Sequence, residues 1–285
     1  MKTKLVLGTV QLGTNYGVNN TTGQPTKKEG FTILDTAFAE GITTFDTAYG
    51  YGTAEEVLGE WIQSNSLASK VCIISKGKPD ELAKSLKRLH VENIDGYLLH
   101  SAQDLYNNEI LEGLREVKRA GLVEHIGVSV YNETEAHKAL ELGLDYVQVP
   151  YNVFDRGLDD TDFFTLAKEK GITVFARSPF LQGLLLMDPA KLPSHLADAK
   201  ESLGVFIGIA NKYNFSQTQA ALLFSLHACR AERIVFGVET LAQLEEILDT
   251  SRTPVPAGFI EAVKTHVQIS DPAIVNPNLW KSLTK

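Results

Sequence analysis

The chain alternates between two hydrophobic periods. Eight short apolar runs rich in β-branched residues fall at residues 5–8, 43–46, 71–76, 96–100, 125–129, 146–149, 173–176 and 234–238, and each reads as a strand. Between them apolar positions recur at helical spacing, as at Ile110, Leu111, Leu114 and Val117. Glycine closes several of these stretches just before the next strand: Gly41, Gly121, Gly143 and Gly171 stand where a helix end calls for a left-handed residue. Strand then helix, repeated eight times with strands apolar enough to be buried on both faces, predicts an α/β chain closed into a (β/α)8 TIM barrel, with residues 1–285 as one domain. An open doubly wound sheet is the rival. It expects Gly-x-Gly-x-x-Gly after the first strand, and Gly8-Thr9-Val10-Gln11-Leu12-Gly13 has the wrong spacing.

Polar residues interrupt this pattern at strand ends. The segment Thr44-Phe45-Asp46-Thr47-Ala48-Tyr49-Gly50-Tyr51-Gly52 ends one apolar run in Asp46 and sets Tyr51 five residues on. Lys76 closes the next run and His100 the one after. Neighbouring strands lie about 4.8 Å apart, so these three ends span roughly 10 Å of one rim, the rim where barrels of this kind hold their active sites. A phenol near its reference pKa of about 10 is a weak acid at neutral pH; a lysine ammonium beside it favours release of the proton. Aspartate compensates that lysine, and histidine can orient a carbonyl oxygen. The set can protonate an oxygen on which negative charge grows, yet it holds no nucleophile or metal, so the electrons must come from a separate donor. Lys78 shares a face with Lys76 and is the alternative inward lysine. His125 and His137 have no strand-end placement and read as structural. Tyr16 and Tyr49 either line the cup or pack.

Composition narrows the partners. Of 285 residues, 44 % are hydrophobic and 22 % charged, with 27 basic against 35 acidic side chains and a net charge of −8. That balance disfavours nucleic acid and anionic membranes. No apolar run approaches the ~20 residues of a membrane span, and the run after Met1-Lys2-Thr3-Lys4 is too short for a signal segment. Cys72 and Cys229 read as buried reduced thiols, one in a strand and one in a helix, and the expectation is a cytoplasmic protein without a metal site. Two excursions exceed a minimal barrel: residues 180–200, carrying Pro189 and Pro193, and the tail 268–285, where Trp280 is either a substrate lid or part of a barrel cover.

Five motifs in order, Phe45-Asp46-Thr47-Ala48 with Tyr51-Gly52, Ile74-Ser75-Lys76, Tyr97-Leu98-Leu99-His100, Ile126-Gly127-Val128-Ser129 and Val147-Gln148-Val149-Pro150-Tyr151-Asn152, give a chain that resembles the aldo-keto reductases over nearly its whole length. The resemblance implies NAD(P)H-dependent reduction of a small carbonyl compound by a monomer. It implies Tyr51 as general acid, Lys76 and Asp46 as its tuning pair and His100 as the orienting residue. It implies that Ser129 and Gln148 bind the nicotinamide carboxamide, that Ser178 and Leu181 lie in the loop embracing the pyrophosphate, and that Glu246 holds the adenine side. Thr9, Arg177, Gly237 and Gln243 join the cofactor positions; Tyr16, Tyr49, Ser101 and Trp280 are the substrate positions.

Four departures stand out. Val130 replaces a frequent Asn, Arg177 an aromatic that stacks on the nicotinamide, and Ser101 a frequent Trp. Gly237 and Gln243 stand where NADPH-preferring relatives often carry Lys and Arg. Family habit favours NADPH, but NADH stays open because Glu239 can accept from a free 2′-hydroxyl. Two other functions compete. A nicotinamide-binding regulatory subunit needs no Tyr51, and a Schiff-base aldolase needs a neutral Lys76, which Asp46 opposes.

Overall fold

The computed structural model describes residues 3–269 and 271–280. Eight parallel strands, β1 (Leu5–Gly8), β2 (Thr44–Asp46), β3 (Cys72–Lys76), β4 (Ile94–Leu99), β5 (Val123–Ser129), β6 (Tyr146–Pro150), β7 (Thr173–Arg177) and β8 (Arg233–Gly237), pair in chain order. β8 returns to β1, with Leu5 opposite Ile234 and Gly8 opposite Gly237, so the sheet closes. The open-sheet alternative is thereby excluded. β4 and β5 each begin two residues before their apolar runs, with Ile94 paired to Val123. The polar side chains of Asp95 and Glu124 hide these starts, and the Asp95 carboxylate accepts from the Ile73 amide at 2.7 Å.

Alternation along each strand divides the core in two. Val6, Ile74, Leu98, Phe175 and Val235 form a plug inside the barrel, with Cys72 and Tyr146 against it. Residues of the opposite parity, such as Leu7, Phe45, Ile73 and Tyr97, face outward into the larger core shared with the helices. Phe45, for example, meets the Trp61 ring at 5.3 Å. Two residues beyond the plug the inward face carries Gly8, Lys76, His100, Arg177 and Gly237, and the same parity places Asp46, Ser129 and Gln148 there. The upper end of the barrel is therefore polar because the apolar pattern stops one layer below it.

All four glycines expected at helix ends take positive φ. The excursion after β7 is not a loose loop. It runs through three short 3-10 turns, Leu181–Leu186, Pro189–Lys191 and Ser194–Ala199, into the helix Lys200–Lys212, and Leu181, Leu184, Leu185 and Leu196 bury its inner side. The tail returns over the barrel mouth as Pro272–Val275 and Pro277–Trp280; residue 270 and residues 281–285 lie outside the described residues. The Trp280 indole N–H donates to the carbonyls of Ala273 and Ile274. Both cysteines are free thiols; Cys72 is half-buried, and Cys229 caps the helix Gln217–Ala228 instead of lying within it. Among the described residues no helix is long and apolar enough to cross a membrane.

Candidate active site

Lys76 ends β3 on the inward face, 1 % exposed, and donates to Asp46 Oδ1 at 2.6 Å and to the Thr47 carbonyl at 2.9 Å. Gln148 on β6 donates to the other Asp46 oxygen at 2.8 Å. The carboxylate is thus held from both sides, which compensates two buried charges that would otherwise be costly. Lys78 is exposed, so Lys76 is the inward lysine. Burial pulls the Lys76 ammonium below the usual lysine range, and Asp46 opposes that shift.

Tyr51 sits above this pair, its ring centroid 5.1 Å from Lys76 Nζ and 5.5 Å from the His100 ring in an edge-on arrangement. Gly13 is what permits the approach. A Cβ there would lie 1.9 Å from the Tyr51 carbonyl oxygen, and Gly52 follows at φ +56°. Burial, then the Asp46 carboxylate, push the Tyr51 phenol above its ordinary value, with Arg177 pulling the other way. The net direction is opposite to the easing that a lone lysine predicts, because burial disfavours the phenolate and the aspartate that pairs the lysine also faces the phenol. Tyr51 is accordingly a protonated phenol at neutral pH. His100 is held down to about 4 by burial and by Lys76 and Arg177, which makes it a neutral imidazole at pH 7.

These residues open into one cavity of about 830 Å³, towards the upper end of the roughly 300–1,000 Å³ usual for small-molecule sites. Of the sequence-predicted positions, Asp46, Tyr51, His100, Tyr16, Ser129, Gln148, Arg177, Ser178, Gly237, Gln243, Glu246 and Trp280 line it. Lys76 lies beneath its floor.

Four predicted positions are placed elsewhere. Thr9 is fully buried and donates from its amide and hydroxyl to the Asp46 carbonyl, at 2.9 and 3.2 Å. Tyr49 turns outward, its ring under the Arg88 guanidinium at 4.4 Å. Ser101 is exposed and caps the turn Ala102–Tyr106. Leu181 is buried at φ +47° inside the loop, whose Ser178 and Gln182 also take positive φ. His125 stacks on Tyr146, and His137 pairs with Asp162 at the surface.

The departures at 130 and 177 turn out to be one feature. Arg177 donates to Ser129 Oγ, Ser178 Oγ and the Val130 carbonyl, at 3.3, 3.3 and 3.1 Å, while its guanidinium lies 4.3 Å from the Tyr131 ring centroid. Sequence reasoning missed Tyr131, which no strand-end rule marks. It also missed Gln11, 7 % exposed in the cavity wall, whose Oε1 has no hydrogen-bond partner among the described residues.

The chain is thus a closed parallel (β/α)8 barrel that gathers a Tyr, a Lys, an Asp and a His at the carboxyl ends of its strands. The sequence profile described as the aldo/keto reductase family matches residues 4–268, and the chain belongs to that family. It is 29 % identical to aldo-keto reductase YhdN of Bacillus subtilis, over 62 % of this chain and 56 % of that protein. It is also 29 % identical to the NADH-specific methylglyoxal reductase of Escherichia coli, over 55 % of this chain and 54 % of that protein. The match thus spans little more than half the length of these curated relatives. The fold is that of aldo-keto reductase AKR11C1 from Bacillus halodurans in its holo form, with TM-score 0.75, 20 % identity and coverage of 97 % of this chain and 95 % of that one.

Proposed function

We propose that this protein reduces an aldehyde or ketone to an alcohol, using a reduced nicotinamide dinucleotide. The observation that carries this reading is the sealed Lys76–Asp46 pair directly under Tyr51 at the floor of the cavity. The site suits a dinucleotide. Its volume is sufficient, a nearly buried amide oxygen on Gln11 lacks a partner, and at Gly237 a Cβ would collide with Gln11 at 2.3 Å. Ser129 and Gln148 would hold the carboxamide, and Ser178 with the turn around it the pyrophosphate. When bound, the reduced nicotinamide supplies a hydride to the carbonyl carbon.

The chain's own residues handle the oxygen. As the C=O electron pair moves onto oxygen, Tyr51 O–H transfers its proton there, and the growing phenolate is stabilised by Lys76 below and Arg177 beside it. Neutral His100 donates a hydrogen bond that fixes the carbonyl. Tyr51 then regains a proton from solvent. The outer cavity wall is neutral and polar, with Asn15, Asn19, Asn20, Asn278, Tyr16 and Gln182, which supports a polyhydroxylated, sugar-derived carbonyl compound. Relatives named for reducing methylglyoxal and L-glyceraldehyde 3-phosphate fit the same reaction class. Lys76 commits two of its N–H groups to Asp46 and Thr47 and is ill suited to form a Schiff base.

The test is a Tyr51→Phe variant assayed against a carbonyl panel by loss of nicotinamide absorbance. Turnover is expected to fall at least ~100-fold, the usual contribution of a positioned general acid, while nucleotide binding persists. Full turnover by the variant, or binding without turnover by the unmodified protein, would refute the reading.

A further inference from the structure

The cavity is electrically lopsided. Its chemistry end holds Arg177, the one cationic side chain lining it among the described residues. The end beyond β8, the strand neighbour of β7, and along the helix Leu241–Ser251 presents Glu239 and Glu246. Among the described residues neither carboxylate makes an ion pair, and Glu246 accepts only from the Ser216 hydroxyl at 3.0 Å. Gln11 stands at the same end against Gly237, nine-tenths buried, with its unpartnered Oε1 in the wall.

An N-terminal helix end ordinarily draws an anion. Here the chain has supplied its own acceptors. Thr240 Oγ takes the Gln243 amide, and Gln243 Oε1 takes the amides of Glu239 and Thr240, at 2.7 and 3.3 Å. The Gln243 side-chain oxygen is therefore spent on the cap, and Gln11 fills the space that any side chain at 237 would need. The charged groups this end offers a ligand, Glu239 and Glu246, are both acceptors.

Tyr51 and this end line one cavity, so a dinucleotide with its nicotinamide at Tyr51 would bring its second ribose here. We infer that its free hydroxyls, which donate, are recognised there by Gln11 Oε1 and Glu239, whereas a 2′-phosphate, which is anionic and only accepts, is rejected. The protein takes NADH over NADPH, reversing the choice that family habit suggests. The inference rests on the carbonyl-reductase reading above and assigns Gln11 and Glu239 as its specificity residues.

Titration of the purified chain with NADH and with NADPH, followed by nicotinamide fluorescence at low and high salt, tests it. At low salt the Kd for NADPH is expected to exceed that for NADH by about tenfold or more, as lost charge-assisted bonds and repulsion imply. The gap narrows as salt rises, since repulsion at this solvent-facing end is screened. Glu239→Gln narrows the gap, improving NADPH by removing repulsion and weakening NADH by removing a charged acceptor. Gln11→Met, similar in length but without an acceptor, weakens NADH more than NADPH. Equal or tighter NADPH binding at low salt, or a gap unmoved by both substitutions, overturns the inference while leaving carbonyl reduction intact. If neither nucleotide binds, the inference and the reading beneath it both fail.

Discussion

At the level of single residues, His100 shows how position decides chemistry. It follows β4 directly, faces the cavity, and is flanked by Lys76, Arg177 and the Tyr51 ring. Burial and two cations hold its pKa near 4 against an ordinary 6.5. Between those values the unfolded chain binds a proton that the folded chain does not, so stability falls as pH drops through that window. Because the ring is open to solvent on the cavity side, the contribution is discounted to about 1 kcal/mol. Urea midpoints at pH 7 and pH 4.5 should therefore fall less steeply for His100→Gln than for the unmodified protein. The other titrating groups are common to both, so the difference isolates this ring. Equal slopes would mean that His100 is solvated as in the unfolded chain.

Among the elements, the turn after β2 and the short helix Val10–Gly13 after β1 fix Tyr51 together. The Thr53 amide donates to the Gly13 carbonyl, and the Tyr51 carbonyl accepts from the Ala54 amide. Gly13→Ala drives a methyl into that carbonyl, and the turn must move. Such overpacking costs about 1–3 kcal/mol. The expected signature is a lower denaturation midpoint with kcat reduced more than nucleotide affinity, since Tyr51 is displaced while the wall at β8 is not. Loss of nucleotide affinity alone would contradict it. This coupling also shows what was legible in the sequence. Asp46, Lys76 and His100 close apolar runs, so alternation alone aims them inward, and Tyr51 follows at a short offset. Thr9, Tyr49, Ser101 and Leu181 sit one residue or one turn beyond a strand, where alternation no longer determines direction. Gln11 was hidden because it lies in a helix whose wall position depends on Gly237, more than two hundred residues away in the chain.

At the scale of the whole molecule, the eight strands were readable because each is buried on both faces, but closure was only implied by their number. Closure is a contact between the two ends of the chain, and the sequence pattern carries no direct record of it. The seam has its own fastening. Just before β1, Lys4 accepts the Ile234 amide through its carbonyl at 2.9 Å. Its ammonium donates to the carbonyls of Leu226 and Cys229, at 3.0 and 3.1 Å, at the end of the helix that precedes β8. A cation there satisfies helix-end carbonyls that have no partner within the helix. Burial pulls the ammonium below the usual lysine range, with the Cys229 thiol and Glu232 opposing. Lys4→Met keeps most of the apolar stem and removes both charge-assisted bonds, which are worth about 1.5–3 kcal/mol each when intact. Partial re-solvation of the freed carbonyls at this half-buried site brings the expected net loss to about 1–3 kcal/mol. The cavity lies at the opposite end of the strands, so nucleotide affinity is expected to stay unchanged while the global unfolding midpoint falls. A variant that unfolds at the unmodified midpoint would show that strand pairing between Leu5–Gly8 and Ile234–Gly237 closes the barrel without help from this lysine.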